Sequence, residues 1–313
     1  MASPTTTKNI LVLGAGELGT SILTHLSALA PPTTHITVLL RPSTLSSPSA
    51  SKAAELSHLR SLNLSFLPGD IATSSTSELA TLFKPFHTII SCLGFASGPG
   101  SQIKIATAVL EAGVKRYFPW QFGVDYEVVG RGSAQDLWDE QLDVRDLLRA
   151  QSATEWVIVS TGLFMSFLFE PSFGVIEFVE GEWVVRALGG WENRVTVTTP
   201  EDIGRLTAGI VFEEPGARNE VLFTAGETVS YGEVAEIVEG LIGRKVRREV
   251  WTVERLEREL KEQRGKEGET MAKYRVAFAV GKGVSWEKEK SWNWKQGVDV
   301  TSVKEYAKRA LKE

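Results

Sequence analysis

The chain has 313 residues, with 34 Lys+Arg against 39 Asp+Glu, 42% hydrophobic residues, four histidines and one cysteine. That length exceeds one typical domain, and a formal charge of −5 argues against nucleic-acid binding, which needs a basic field. The lone Cys92 excludes an intrachain disulfide framework, and His25, His35, His58 and His87 lack metal-ligand spacing, so no metal is expected.

The first nine residues, MASPTTTKN, carry no apolar core of signal-peptide length, and no stretch of 18 apolar residues occurs anywhere. With the single cysteine, this predicts a cytoplasmic protein that spans no membrane. The apolar run ILVL over 10–13 predicts a buried strand ending in glycine. Leu18, Ile22, Leu26 and Leu29 then recur at helical spacing. Further strands are predicted over 36–40, 64–67, 88–92, 116–118 and 156–160. One intervening helix carries Ile103, Ala106, Val109 and Leu110; another carries Leu137, Val144, Leu147 and Leu148. This alternation predicts a doubly wound parallel α/β sheet with right-handed crossovers. Ser/Thr-rich stretches over 42–51 and 73–77 read as loops at the carboxyl ends of strands.

The remainder is built from different material, with all nine tryptophans at or after Trp120 and no proline beyond Pro215. Residues 175–185 read as a hairpin turned by Glu180-Gly181-Glu182. Thr199 caps a helix that has Pro200 in its first turn and Glu201 and Asp202 complementing the dipole. Ser230 and Glu233 fit a capping box before another helix. Residues 244–269 carry both charge signs and read as a solvated helix face.

The sequence GAGELG over 14–19 sits between the first strand and the first helix, the context a dinucleotide fingerprint requires. Gly14 permits the tight turn, Gly16 the close approach of a pyrophosphate, and Gly19 the packing of helix on strand. The helix N-terminus at Glu17 and Leu18 supplies N–H groups for phosphates. The Glu17 carboxylate is compatible with this only if it points outward. An NAD site ends the second strand with an acid on the ribose; here Arg41 takes that place. A guanidinium suits a 2′-phosphate, with Ser43 and Thr44 as hydroxyl donors and Lys52 as a second cation, so NADP(H) is expected. The fourth strand ends Ser91-Cys92-Leu93-Gly94-Phe95, beside the topological switch point, which adds Cys92 and Gly94 to the cofactor surroundings. The division expected is a Rossmann domain over 1–160 and a smaller α/β substrate lobe over 161–313, with some segments returning to the sheet.

The segment YFPWQFGVD over 117–125 resembles the F-P-S-E-F-G-x-D stretch of the NmrA-like and isoflavone-reductase-like group of atypical short-chain dehydrogenases/reductases. GAGELG, LLRPST over 39–44, AGVKR over 112–116, STGLF over 160–164 and PEDIG over 200–204 agree with it in order. The resemblance is to fungal members of the aromatic-alcohol-reductase type, in a secondary-metabolism setting. It implies NADPH in the N-terminal domain, with Pro119 and Phe122 at the nicotinamide and Gln102 and Gly94 bordering the cofactor. It implies a substrate pocket walled by Phe164, Met165 and Phe167, with Gln121 facing it and Trp120 and Trp138 stacking on a small aromatic substrate. The partner implied is that small molecule, to a monomer or homodimer.

The departures concern proton chemistry. The family serine and glutamate after Pro119 are Trp120 and Gln121, and the family lysine on the following helix is Gln141. A lysine donates a proton; an amide only orients. The Tyr-x-x-x-Lys pair of ordinary short-chain dehydrogenases is absent as well. Gln141, Asp125 and Tyr126 are therefore the catalytic candidates, with Asp136, Asp139 and Glu140 as nearby acids that also suit a helix N-terminus. The leading expectation is an NADPH-dependent reductase of an aromatic or conjugated, phenolic-type substrate. An NADP(H)-sensing regulator that binds a partner protein and a redox-neutral isomerase or cyclase both stay open.

Overall fold

The structure is a computed structural model that describes residues 8–46, 49–95 and 98–312. Residues 47 and 48 of the Ser/Thr-rich stretch lie outside the described residues. In chain order the first elements are β1 (Lys8–Leu13), α1 (Glu17–Leu29), β2 (Thr34–Leu40), α2 (Pro42–Ser46), α3 (Ala50–Ser61) and β3 (Ser65–Pro68). They continue with α4 (Thr76–Phe83), β4 (Thr88–Ser91), α5 (Ser101–Glu111), β5 (Arg116–Phe118), α6 (Tyr126–Val129), α7 (Leu137–Arg149) and β6 (Glu155–Ser160). Then come β7 (Leu163–Phe164), α8 (Met165–Leu168), β8 (Ile176–Val179), β9 (Glu182–Leu188), β10 (Arg194–Thr198) and α9 (Pro200–Phe212). The last are β11 (Glu220–Phe223), β12 (Glu227–Ser230), α10 (Tyr231–Ile242), β13 (Arg247–Trp251), α11 (Val253–Gln263), α12 (Glu269–Val280), α13 (Trp292–Lys295) and α14 (Val303–Ala310).

Seven strands form one sheet in the order β11-β6-β5-β4-β1-β2-β3. The pairs β3–β2, β2–β1, β1–β4, β4–β5 and β5–β6 are all parallel, which is the doubly wound Rossmann arrangement. The sequence dictates this directly. β1 carries the apolar run ILVL and β4 the central pair Ile89-Ile90 because both faces are covered, and every residue of β4 is buried. Leu11, Ile89, Tyr117 and Ile158 from the sheet pack with Ile105 and Val109 of α5 and Val144 and Leu148 of α7.

The chain forms two compact units that interleave in sequence. The first comprises 1–121, 143–159 and 203–221; the second comprises 122–142, 160–202 and 222–313. The second contains two three-stranded sheets, β12-β10-β7 and β13-β9-β8. Its hairpin β8–β9 turns at Glu180 and Gly181, whose φ angles of 51° and 86° give the twist a two-residue hairpin needs. Thr199 caps α9 as expected, its hydroxyl accepting from the Asp202 N–H at 3.0 Å. Ser230 and Glu233 form the predicted capping box on α10.

Two local readings need correction. The stretch over 42–51 is not loop throughout, because Pro42 starts the helical turn α2 and Ala50 starts α3. The charged run over 244–269 is not one helix, because Arg247–Trp251 forms strand β13, parallel to β9. Its charges are paired across the ladder. Arg186 of β9 donates to Glu249 at 2.9 Å and to Glu177 of β8 at 2.7 Å, over the Trp251 ring at 4.8 Å.

Helix α9 lies so close to α1 that a Cβ on Gly204 would stand 2.1 Å from Ser21 Oγ and 2.6 Å from the Ser21 carbonyl carbon. Gly204→Ala should lower unfolding stability in urea by about 1–3 kcal/mol. Ser21→Ala should restore only part of it, because the backbone obstacle stays.

Candidate functional site

The carboxyl ends of β1, β2 and β3 surround a cavity of about 280 Å³ in the first unit. Gly14, Gly16, Arg41, Thr44, Lys52 and Asp70 are among the residues that line it. Three glycines shape it for three different reasons. Gly14 has φ of +88°, and its N–H donates to Leu39 O at 3.2 Å, which fixes the turn out of β1. A Cβ on Gly19 would stand 2.3 Å from Gly14 O, so α1 docks directly on the turn it leaves. A Cβ on Gly16 would meet nothing within 4 Å. No internal contact asks for glycine there, which fits a position kept clear for a ligand.

Gly16 lines the cavity as the N-cap of α1 and supplies no side-chain cap, so the first N–H groups of a 13-residue helix start uncapped beside it. Glu17 is exposed, as an anion site there requires, and Leu18 is buried and offers only its backbone. Arg41 is exposed at the end of β2, and Thr44 is half-buried beside it. Ser43 is exposed on α2 and is not among the cavity residues. Lys52 lies at the cavity, ion-paired with Glu55 at 2.6 Å. The donor set of glycine turn, helix N-terminus, guanidinium and ammonium matches a dinucleotide bearing an extra phosphate.

At the neighbouring end of β4, Gln102 holds the backbone, donating to Leu93 O at 2.8 Å and to Gly94 O at 3.0 Å. It is 2% exposed, and it shapes the loop from below. A Cβ on Gly94 would stand 3.2 Å from the Trp120 ring, which also meets Phe95 edge-on at 4.8 Å. Phe95 was not anticipated, since nothing local in the sequence marks it as the partner of Trp120. Pro119 is buried. Gln121 is sealed, its Oε1 accepting from Arg145 Nε at 2.7 Å.

The other expected residues belong to the second unit. Phe122, Tyr126, Trp138 and Gln141 are buried there, Gln141 completely. Asp125 is the N-cap of α6, accepting from Val128 N–H, and pairs with Lys290 at 3.5 Å. Asp139 accepts from the Gly132 N–H at 3.0 Å, and Asp136 pairs with Lys273 at 2.9 Å. Met165 is sealed, whereas Phe164 and Phe167 are half-buried. Among the described residues no cluster of His, Cys, Asp and Glu could hold a metal, and no helix is long and apolar enough to cross a membrane.

Cys92 packs at the β1–β4 seam, its N–H donating to Leu13 O at 3.0 Å, and burial pushes its thiol up from the ordinary range. An aromatic disulfide reagent at pH near 8 should therefore label it at least ~100-fold more slowly in the native protein than after unfolding.

A family model, described as the NmrA-like family, matches residues 6–307. An NmrA-like family domain-containing oxidoreductase of Gibberella moniliformis is 51% identical over 302 residues, covering 96% of this chain and 97% of that one. The phenylcoumaran benzylic ether reductase Pyrc5 of Pyrus communis is 26% identical over 304 residues, covering 94% and 92%. Among solved structures, the binary complex of leucoanthocyanidin reductase and NADPH from Vitis vinifera superposes with a TM-score of 0.80 at 19% identity, over 97% of this chain and 100% of that one. Similarity at that level of identity speaks to the fold.

Proposed function

The chain belongs to the NmrA-like family, and from that premise we propose that it is an NADPH-dependent reductase of a small aromatic or conjugated substrate. The observation that carries the reading is the cavity at the end of β1 and β2, with an unobstructed Gly16 and with Arg41 where an acid would select NAD. The reductases and the oxidoreductase compared above support it, as does the NADPH held by the grapevine protein.

In this reading the α1 N-terminus and the Gly14–Gly16 turn take the pyrophosphate. Arg41, Thr44 and Lys52 take the 2′-phosphate, and Ser43 adds a hydroxyl at the rim. Gln102 keeps the β4 loop in place by holding two of its carbonyls. NADPH, when bound, supplies the hydride. Trp120, with Phe95 against it, offers an aromatic edge of the kind that stacks on a substrate ring. Gln121 holds this region from beneath, through Arg145.

Arg41→Ala should weaken NADPH binding by about 10–100-fold, the worth of a charge-assisted contact, and leave NADH within about threefold. Equal losses for both cofactors would sink the 2′-phosphate role. Loss of reduced-nicotinamide absorbance with aryl enones or quinone methides tests the chemistry. NADPH that binds and is never oxidised would turn the chain into an NADP(H)-responsive binding protein.

A further inference from the structure

A second cavity, of about 630 Å³, lies within the second unit, between β12 and the segment 287–302. That volume falls in the range of about 300–1,000 Å³ typical of small-molecule sites. None of its residues is among those placed at the cofactor or the substrate in the reductase reading. Its framework is tied together by directional bonds. Asn293 of α13 donates to Ala225 O at 2.9 Å, and its Oδ1 accepts from the Ala225 N–H at 3.0 Å. Glu227 of β12 accepts from the Val303 N–H at 2.7 Å, which anchors the start of α14. Arg194 of β10 donates to Thr228 O at 2.9 Å.

One aromatic face lines this cavity. Trp294 is 51% exposed, and Lys288 Nζ stands 4.4 Å from the centroid of its ring. Glu287 and Glu289 flank Lys288 in the chain and line the same cavity. Neither carboxylate makes an ion pair among the described residues, and neither does Lys288. The Lys288 ammonium therefore takes the indole face in preference to both of its neighbouring carboxylates. Lys290 is spent elsewhere, against Asp125 at 3.5 Å and over the Phe223 ring at 3.6 Å. With Glu227 and Asp299, the cavity holds four carboxylates against two cations, Arg194 and Lys288. A cavity with that balance and a π face attracts positive charge.

We propose that this cavity binds a small organic ammonium, its cation seated on the Trp294 face that Lys288 covers here and its charge balanced by Glu287 and Glu289. An indole face favours cations that give up water easily, so an alkylated ammonium suits it better than a metal ion. Lys288 acts as an internal occupant of that face. An incoming cation displaces it, and the freed ammonium then pairs with the carboxylates beside it. The site stands apart from the cavity at Arg41 and does not depend on the reductase reading.

The probes are choline and its uncharged isostere 3,3-dimethylbutan-1-ol, titrated into the full chain at low salt and followed by broadening of their methyl proton signals. Choline should bind at least about tenfold more tightly than the alcohol. Trp294→Leu, which keeps apolar bulk and removes the π face, should weaken choline about fivefold and leave the alcohol within about twofold. Lys288→Met removes the internal occupant and should strengthen choline about threefold. Both side chains are exposed, so neither change should move the melting temperature by more than about 2 °C. Glu287→Gln with Glu289→Gln should weaken choline at low salt, with a smaller difference at high salt. Equal affinity for the two probes, or no binding of choline to either wild type or Lys288→Met, would overturn the site. So would unchanged choline affinity in Trp294→Leu or in the double glutamine variant, or equal or weaker choline binding by Lys288→Met. Phosphatidylcholine vesicles carry the same cation on a lipid and should leave the chain in the supernatant; cosedimentation that requires Trp294 would overturn the assignment to a free small molecule.

Discussion

Helix α1 is held between two contacts that leave no room for a methyl group. On one side Gly19 rests on the carbonyl of Gly14; on the other, Gly204 of α9 rests on Ser21. Close packing on both flanks removes the freedom of α1 to slide or tilt, since neither backbone can give way. The direction of its N-terminal N–H groups follows from that constraint, and so does the opening over Gly16. The cavity near Arg41 is therefore set by backbone against backbone, not by adjustable side chains, which is the preorganisation a tight anion site needs.

The Rossmann order is readable from residues because its causes are local. Strands covered on both faces are rich in apolar residues, so ILVL announces itself throughout and TIIS through its central Ile89-Ile90 pair. The turn between β1 and α1 needs glycine at fixed offsets, and no other residue satisfies φ of +88° at Gly14 as cheaply. Arg41 is readable for the same reason, because its position is counted from the end of a strand.

What escapes a linear reading is whatever depends on residues far apart. β13 reads as a charged surface because RREVW offers few apolar residues, yet Arg186 from 63 positions away neutralises Glu249. The pairing of Gln121 with Arg145 joins residues 24 apart, and it seals an amide expected to face the substrate region. In the second unit Trp138 of α7, Tyr274 and Phe278 of α12, and Phe167 and Phe173 of the α8–β8 region meet in a closed set of ring contacts. No local spacing connects those segments. The partner of Asp136 is of the same kind, since Lys273 lies 137 positions away and no local spacing connects the two.

The buried thiol has a further meaning under the reductase reading. Conjugated carbonyls and quinone methides are soft electrophiles, and thiolates are the side chains they alkylate fastest. This sequence carries one thiol, sealed at the β1–β4 seam and held protonated by its surroundings. Under that reading, a thiol held this way would be a poor target for the electrophiles the protein handles.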